Sequence, residues 1–176
     1  VSREPTFYAY VITVRFQPAT AGTVVAMYRE RTAPLVAAAP GLIALLGLVQ
    51  RATGRGIAIR VWQTAADRAR SDVPSAAIVD DLADYAGLLT GTYTRDPYDV
   101  PVLALPPADP DRPFVPAVAR VITEDIRPDR WDEGIAALHA LDLRAARMDE
   151  HDAVARERGY LAKRVEREVY EVVARY

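Results

Sequence analysis

The stretch from Gly41 to Thr64, GLIALLGLVQRATGRGIAIRVWQT, leaves this chain the fewest choices of fold. Two apolar runs, Leu42 to Val49 and Ile57 to Val61, flank Arg51-Ala-Thr-Gly-Arg-Gly56, and a glycine-containing connection between β-type runs predicts a hairpin. A hairpin alone is marginal in water, so the remaining chain must feed it or cover it. On its second strand Ile57, Ile59 and Val61 share one face, while Ala58, Arg60 and Trp62 share the other. Trp62 closes that strand, and Gln63-Thr64 leads into a helical pattern.

The segment before the hairpin supplies a strand and a helix. Tyr8, Tyr10, Ile12, Val14 and Phe16 alternate with Ala9, Val11, Thr13 and Arg15, the period of a first strand. Gln17-Pro18 closes it, because proline lacks a ladder donor, and Thr20 or Thr23 can cap the helix that follows. Val24, Met27, Tyr28, Arg31 and Leu35 fall on one face of that helix, which packs on a sheet and stops at Pro40-Gly41. After the hairpin, Thr64 caps a second helical region, Ala65 to Leu89. It breaks at Val73-Pro74, since a residue before proline avoids helical angles, and later carries Ile78, Leu82, Tyr85 and Leu89 on one face. Tyr98 to Leu105 supplies a fourth strand that Pro101 confines to an edge. The order through residue 105 is β-α-β-β-α-β.

Seven of the thirteen prolines lie between Pro97 and Pro116, so residues 106–116 read as a stiff linker and a domain boundary. Beyond it, Val118 to Ile126 looks like a strand that Arg127-Pro128 stops, as Gln17-Pro18 stops the first. Trp131 to Met148 has a helical pattern. Residues 117–176 thus read as a second, degenerate copy of the β-α-β-β unit, with YLAKRVERE and VYEVVARY as its hairpin. A helical tail is the alternative, because Leu161, Val165, Val169, Val172 and Tyr176 also step at helical spacing.

With 176 residues, about half of them hydrophobic, the chain can bury a core as one large domain or two small ones. A formal charge of −2, with no basic run interleaved with aromatics, argues against nucleic acid. The absence of cysteine removes disulfides, thiolate metal sites and a cysteine nucleophile, and fits a reducing compartment. No run approaches the roughly 18 apolar residues of a membrane span, and the first residues lack signal-peptide regions. No membrane contact and a cytoplasmic location are therefore the expectations. Asparagine is absent, His139 and His151 are the only histidines, and Ser2, Ser71 and Ser75 the only serines. No G-x-S-x-G elbow occurs, which disfavours a Ser-His-Asp triad. One lysine, Lys163, beside 21 arginines is read as codon bias in a GC-rich genome.

Few residues remain for chemistry. Trp62 can stack on a flat aromatic ligand in a cavity between sheet and helices, or seal the end of the hairpin. Arg60, one pleat away, can hold a phenolate or carboxylate and stabilise an enolate, or form a salt bridge. Tyr28, Tyr85 and Tyr93 can line the same cavity and offer hydroxyls to substrate, or fill core and rim. Arg15 is a further cation on the first strand. His139 is the available imidazole base if the two halves share a cavity, or a packing residue. Asp149-Glu150-His151-Asp152 points in different directions along a helix and cannot close on one metal ion. Gly54-Arg-Gly56 is a turn without phosphate-loop spacing.

The order β-α-β-β-α-β, with Pro18, Pro40-Gly41 and a strand ending V-W-Q-T-A-A-D, resembles the antibiotic biosynthesis monooxygenase superfamily of dimeric α/β-barrel proteins. The likeness covers residues 7 to about 105, and more weakly 117 to 176, so the whole looks like a tandem pair. It implies an α+β fold of ferredoxin-like units with antiparallel sheets packed face to face, within one chain or between two, as a homodimer or intrachain pseudo-dimer. It also implies a metal-free monooxygenase acting on a small aromatic, polyketide-type substrate, without cofactor or with reduced flavin. Arg60 and Trp62 would then be catalytic, with Tyr28, Tyr85, Tyr93 and His139 binding substrate. In the family's polyketide oxygenases an asparagine precedes the strand tryptophan by four residues, where this chain has Ala58. In the haem-degrading branch an Asn, a Trp and a His cooperate, and the first half here has neither Asn nor His. A non-catalytic small-molecule-binding or assembly protein, or a polyketide cyclase or isomerase, would use the same fold.

Overall fold

A computed structural model of the chain describes residues 7–72, 87–101, 103, 118–123, 127–140 and 166–176. The alternating first segment forms β1, Phe7–Arg15, and the predicted hairpin forms β2, Leu42–Gln50, and β3, Arg55–Trp62. Arg51 to Gly54 make the turn. Gly54 has φ +65°, and a Cβ there would lie 1.9 Å from the carbonyl oxygen of Phe16. Only glycine meets both demands, and the close approach lets the Phe16 N–H donate to the Gly54 carbonyl at 2.8 Å. Gly41, with φ +74°, opens β2 just after Pro40.

The helix between β1 and β2 has three parts. A 3₁₀ turn at Pro18–Thr20 leads into α1, Ala21–Met27, then a wide π turn at Tyr28–Thr32, then α2, Ala33–Ala37. Pro34 accounts for the wide turn: it cannot donate to the carbonyl four residues back, and its ring crowds that carbonyl. The Ala33 N–H accordingly reaches the Tyr28 carbonyl. The turn takes in an extra residue, so Thr32 is buried and Arg31 exposed, where regular spacing placed Arg31 inward.

The second helical region begins as expected. Thr64 caps α3, Ala65–Arg70, its hydroxyl accepting from the Asp67 N–H. Ile78, Leu82 and Tyr85 lie outside the described residues, but Leu89 is not helical: it bridges to Phe16 and packs with it. The fourth strand, β4, runs over Thr94–Val100 and not from Tyr98. It pairs with β1 at the sheet edge, where Pro97, opposite Tyr10, removes no needed bond.

In the second half, β5, Val118–Thr123, precedes a 3₁₀ turn at Pro128–Arg130 and α4, Trp131–Ala140. This repeats the start of the first half: Gln17 and Arg127, each before its proline, adopt nearly the same backbone angles, −68°/133° and −61°/129°. The tail from Glu166 to Arg175 is a strand, β6, and not a helix. It runs unbroken through Glu168-Val169, where the hairpin reading would have turned. A bulge opposite Gly47/Leu48 brings Val173 and Ala174 to the helix-bearing side in succession, while Tyr170 and Val172 share the opposite face.

All six strands form one antiparallel sheet in the order β4-β1-β3-β2-β6-β5. The first four are in the ferredoxin-like order. Among the described residues the second half does not pack a separate sheet face to face on the first; β6 joins the free edge of β2 and satisfies its backbone groups. The Leu45 and Tyr176 N–H groups extend that pairing, each donating to the other's carbonyl. One sheet face carries the helices over Phe16, Val24, Val25, Val49 and Val173, and the opposite face buries Leu48, Ile57 and Tyr170. Burial of one such large side chain contributes about 1.5–3 kcal/mol. The 106–116 stretch lies outside the described residues. No described helix is long and apolar enough to cross a membrane.

Candidate functional site

Between the helix-bearing face of the sheet and the α1–α2 helix lies a largely apolar cavity of about 700 Å³, in the range of small-molecule sites. Strand alternation decides what lines it. Cross-strand pairing aligns Tyr10 with Arg60, Ile12 with Ala58 and Val14 with Gly56, while β2 sets Gly47 beside Ala58. Gly47, Gly56 and Ala58 form a floor of small side chains. Gly47 is required there, because a Cβ would lie 2.4 Å from Cε1 of Tyr28, whose ring rests on the β2 backbone. Tyr28, Thr32, Leu35 and Val36 form the roof.

Trp62, only 1% exposed, is buried at the end of the hairpin and borders the cavity without opening a ring face into it. It stands edge-on to Tyr10, with ring centroids 5.7 Å apart and planes at 80°. Arg60 also lines the cavity and forms no ion pair among the described residues. Four buried polar atoms in the cavity residues lack a partner among the described residues: the Tyr28 hydroxyl, Arg60 Nε, Trp62 Nε1 and Arg95 Nε. All four can donate, and of the two guanidinium groups only that of Arg95 also meets a carboxylate, Asp72. Burial pushes the Tyr28 hydroxyl up to about 12, the Arg60 charge opposing this, so it keeps its proton near neutrality. Burial lowers the Arg60 guanidinium, Tyr28 opposes, and Arg95 lowers it further; an arginine still remains a cation.

The other candidates divide. Tyr93 lines the mouth at 51% exposure. Tyr85 lies outside the described residues. His139 falls on α4, but its side chain is outside them too. Arg15 is exposed at the end of β1, on the strand face opposite the cavity residues. The acidic run at 149–152 is likewise outside them, and no group of three metal-ligating side chains occurs among the described residues.

A polar cluster at the rim was not foreseen. Tyr10 Oη donates to Asp72 Oδ1 at 2.8 Å, and Arg95 Nη2 lies 3.0 Å from the same oxygen. Arg95 Nη2 also donates to Ser71 Oγ at 3.1 Å, and its guanidinium lies 3.9 Å over the Tyr10 ring. Asp72, Ser71 and Arg95 all line the cavity. The Tyr10 hydroxyl is raised, first by burial and then by its bond to Asp72. The available signal was the phase of β4: once the strand begins at Thr94, Arg95 falls opposite Ile12, on the cavity face.

No protein-family profile matches the chain, and no curated protein matches its sequence. Among solved structures, a candidate monooxygenase from Fusobacterium nucleatum is similar over 98% of this chain and 95% of its own, with 10% identity and a TM-score of 0.69. Another from Lactobacillus acidophilus is similar over 97% of this chain and 95% of its own, with 8% identity and a TM-score of 0.65. A candidate antibiotic biosynthesis monooxygenase from Caulobacter crescentus is similar over 55% of this chain and 91% of its own, with 14% identity and a TM-score of 0.48. The two longer likenesses show a shared α+β fold. At these identities the likeness is one of fold alone.

Proposed function

We propose that this chain is a small-molecule oxygenase that oxidises a planar, oxygen-bearing aromatic compound, of phenolic or quinonoid type, in the cavity behind Trp62. The observation that carries the reading is that Tyr28 Oη, Arg60 Nε and Trp62 Nε1, buried donors without a partner among the described residues, border a largely apolar chamber. A buried donor without a partner costs about 1–3 kcal/mol, and a ligand rich in acceptor oxygens would recover that cost on binding. Trp62 borders the chamber, and a shift of its neighbours on binding would open its face to an aromatic ring. Arg60 and Tyr28 would hold the oxyanion that develops as the substrate loses a proton, where fixed donors in an apolar site act strongly.

The electron-rich anion would then react with oxygen, directly or through reduced flavin, without a metal ion. A second reading, a non-catalytic binding protein, is favoured by one observation: Ala58 places only a methyl group on the cavity floor, with no amide beside Trp62. Oxygen uptake with a panel of anthrones, naphthols and quinones, with and without reduced flavin, tests the proposal. Turnover lost on replacing Arg60 supports it. Binding without oxygen uptake supports the binding protein, and conversion without oxygen uptake a cyclase or isomerase.

A further inference from the structure

An oxygenation that begins with deprotonation needs a base, and neither Arg60, Tyr28 nor Trp62 can serve as one near neutral pH. Two carboxylates, Asp67 and Asp72, are among the described cavity residues. Asp67 is committed on both oxygens: Oδ1 pairs with Arg70, and Oδ2 accepts from the Thr64 hydroxyl at 2.6 Å. Asp72 is held differently. Both of its contacts fall on one oxygen, Oδ1, which receives the Tyr10 hydroxyl at 2.8 Å and Arg95 Nη2 at 3.0 Å. Its second oxygen, Oδ2, has no partner among the described residues.

The anchoring groups tie this carboxylate to the rest of the site. Tyr10 stands opposite Arg60 on the neighbouring strand and edge-on to Trp62, so the residue that grips Oδ1 also touches the stacking tryptophan. Arg95 pins Asp72 from β4 and fixes Ser71 beside it. The side chain of Asp72 is about half exposed, 51%, at the cavity rim, so a proton taken there can pass to water.

We propose that Asp72 is the general base of the site, with Oδ2 as the atom that takes the proton. This rests on the oxygenase reading given above. In the step, the substrate C–H or O–H bond breaks and its proton bonds to Oδ2. The electron pair stays on the substrate as an enolate or phenolate, whose charge Arg60 faces. No oxidant takes part in this step, so it can be observed separately from the oxygenation that follows.

The test is hydrogen–deuterium exchange at the acidic methylene of anthrone in deuterated buffer under argon, with anthrone affinity and oxygen uptake in air measured on the same samples. The wild-type chain is expected to accelerate exchange above the protein-free rate. Asp72→Asn keeps an acceptor for Tyr10 and Arg95 but removes the base, so protein-dependent exchange should fall at least about 100-fold with affinity unchanged within about 3-fold. Asp72→Glu, which retains a carboxylate, should keep part of the exchange; that separates lost basicity from lost folding. Wild-type exchange that persists in Asp72→Asn overturns the proposal, as does a wild-type chain that binds anthrone and does not accelerate exchange. Exchange that depends on Asp72 without any oxygen uptake in air supports the base and refutes the oxygenase. Oxygen uptake without accelerated exchange does the reverse.

Discussion

Arg55 and Arg60 lie on one strand, β3, and point to opposite faces of the sheet. Arg55, at the turn end, forms an ion pair with Glu168 on β6, and nearby Arg51 pairs with Glu171 at 2.7 Å. Each guanidinium of the turn end thus meets a carboxylate from the second half of the chain. Arg55 Nε is unpartnered too, yet its charge is neutralised through Nη1. At the Trp62 end, Arg60 forms no ion pair with a carboxylate among the described residues. One end of the hairpin uses its polar groups to hold the two halves together, whereas the other buries Arg60 Nε and Trp62 Nε1 without a partner among the described residues. The same residue type is architectural in one place and, under the proposed function, a ligand contact in the other.

Substitutions at the two ends should therefore fail in different ways. The largest effect is expected from Gly54→Val at the turn, where φ is +65° and the backbone of Phe16 leaves no room for a Cβ. A loss of about 3–5 kcal/mol is expected, read as a lower urea midpoint. Gly22→Ala in α1, where an added Cβ meets nothing within 4 Å, should hold or slightly raise that midpoint. Arg60→Met comes next. It should leave the fold intact and reduce oxygen-dependent turnover at least about 100-fold in steady-state assays.

The third expectation concerns alkaline pH. Burial holds Tyr28 at about 12 in the folded chain, against about 10 when unfolded. Between these values the unfolded chain releases its proton and the folded chain keeps it, so stability is complete below about pH 10 and falls as pH rises through 12. The loss is on the order of 3 kcal/mol. Tyr170, also raised to about 12 by burial and its bond to Glu168, shares in the decline. Tyr28→Phe should flatten only part of it in unfolding curves taken from pH 9 to 12. The smallest effect belongs to Glu168→Gln, which weakens a pair whose side chains are about one-third exposed. It should cost about 0.5–1 kcal/mol and leave ligand affinity unchanged. Weakened ligand binding in this variant would erase the contrast between the two ends.

How much of this could be read from the chain depended on whether the determinants were local. The alternation of Tyr8 to Phe16, the hairpin and the placement of Arg60 with Trp62 on one face follow from strand periodicity, and they supply much of the cavity floor. The helix face shifted because Pro34 widens the turn at Tyr28–Thr32, an effect that regular 3.6-residue spacing does not include. The tail is a strand because it pairs with β2 on one side and β5 on the other, partners that the apolar spacing within the tail does not reveal. Asp72 escaped notice for a similar reason. Its role depends on Tyr10 and Arg95, which reach it only when three separate segments meet.

The central claim is that the Trp62 end maintains an unpaired cation for a ligand, at a cost to the empty protein. Thermal unfolding of the wild-type chain and Arg60→Met, each with and without a saturating hydroxyanthraquinone, measures this directly. Removing a buried, unpartnered charge should stabilise the empty chain by about 1 kcal/mol, a rise of a few degrees in Tm. The ligand should then raise the wild-type Tm well above that of the variant. A variant that melts below the wild type without ligand, and gains as much from the ligand, would show that Arg60 supports the fold and that the chamber is not built around it.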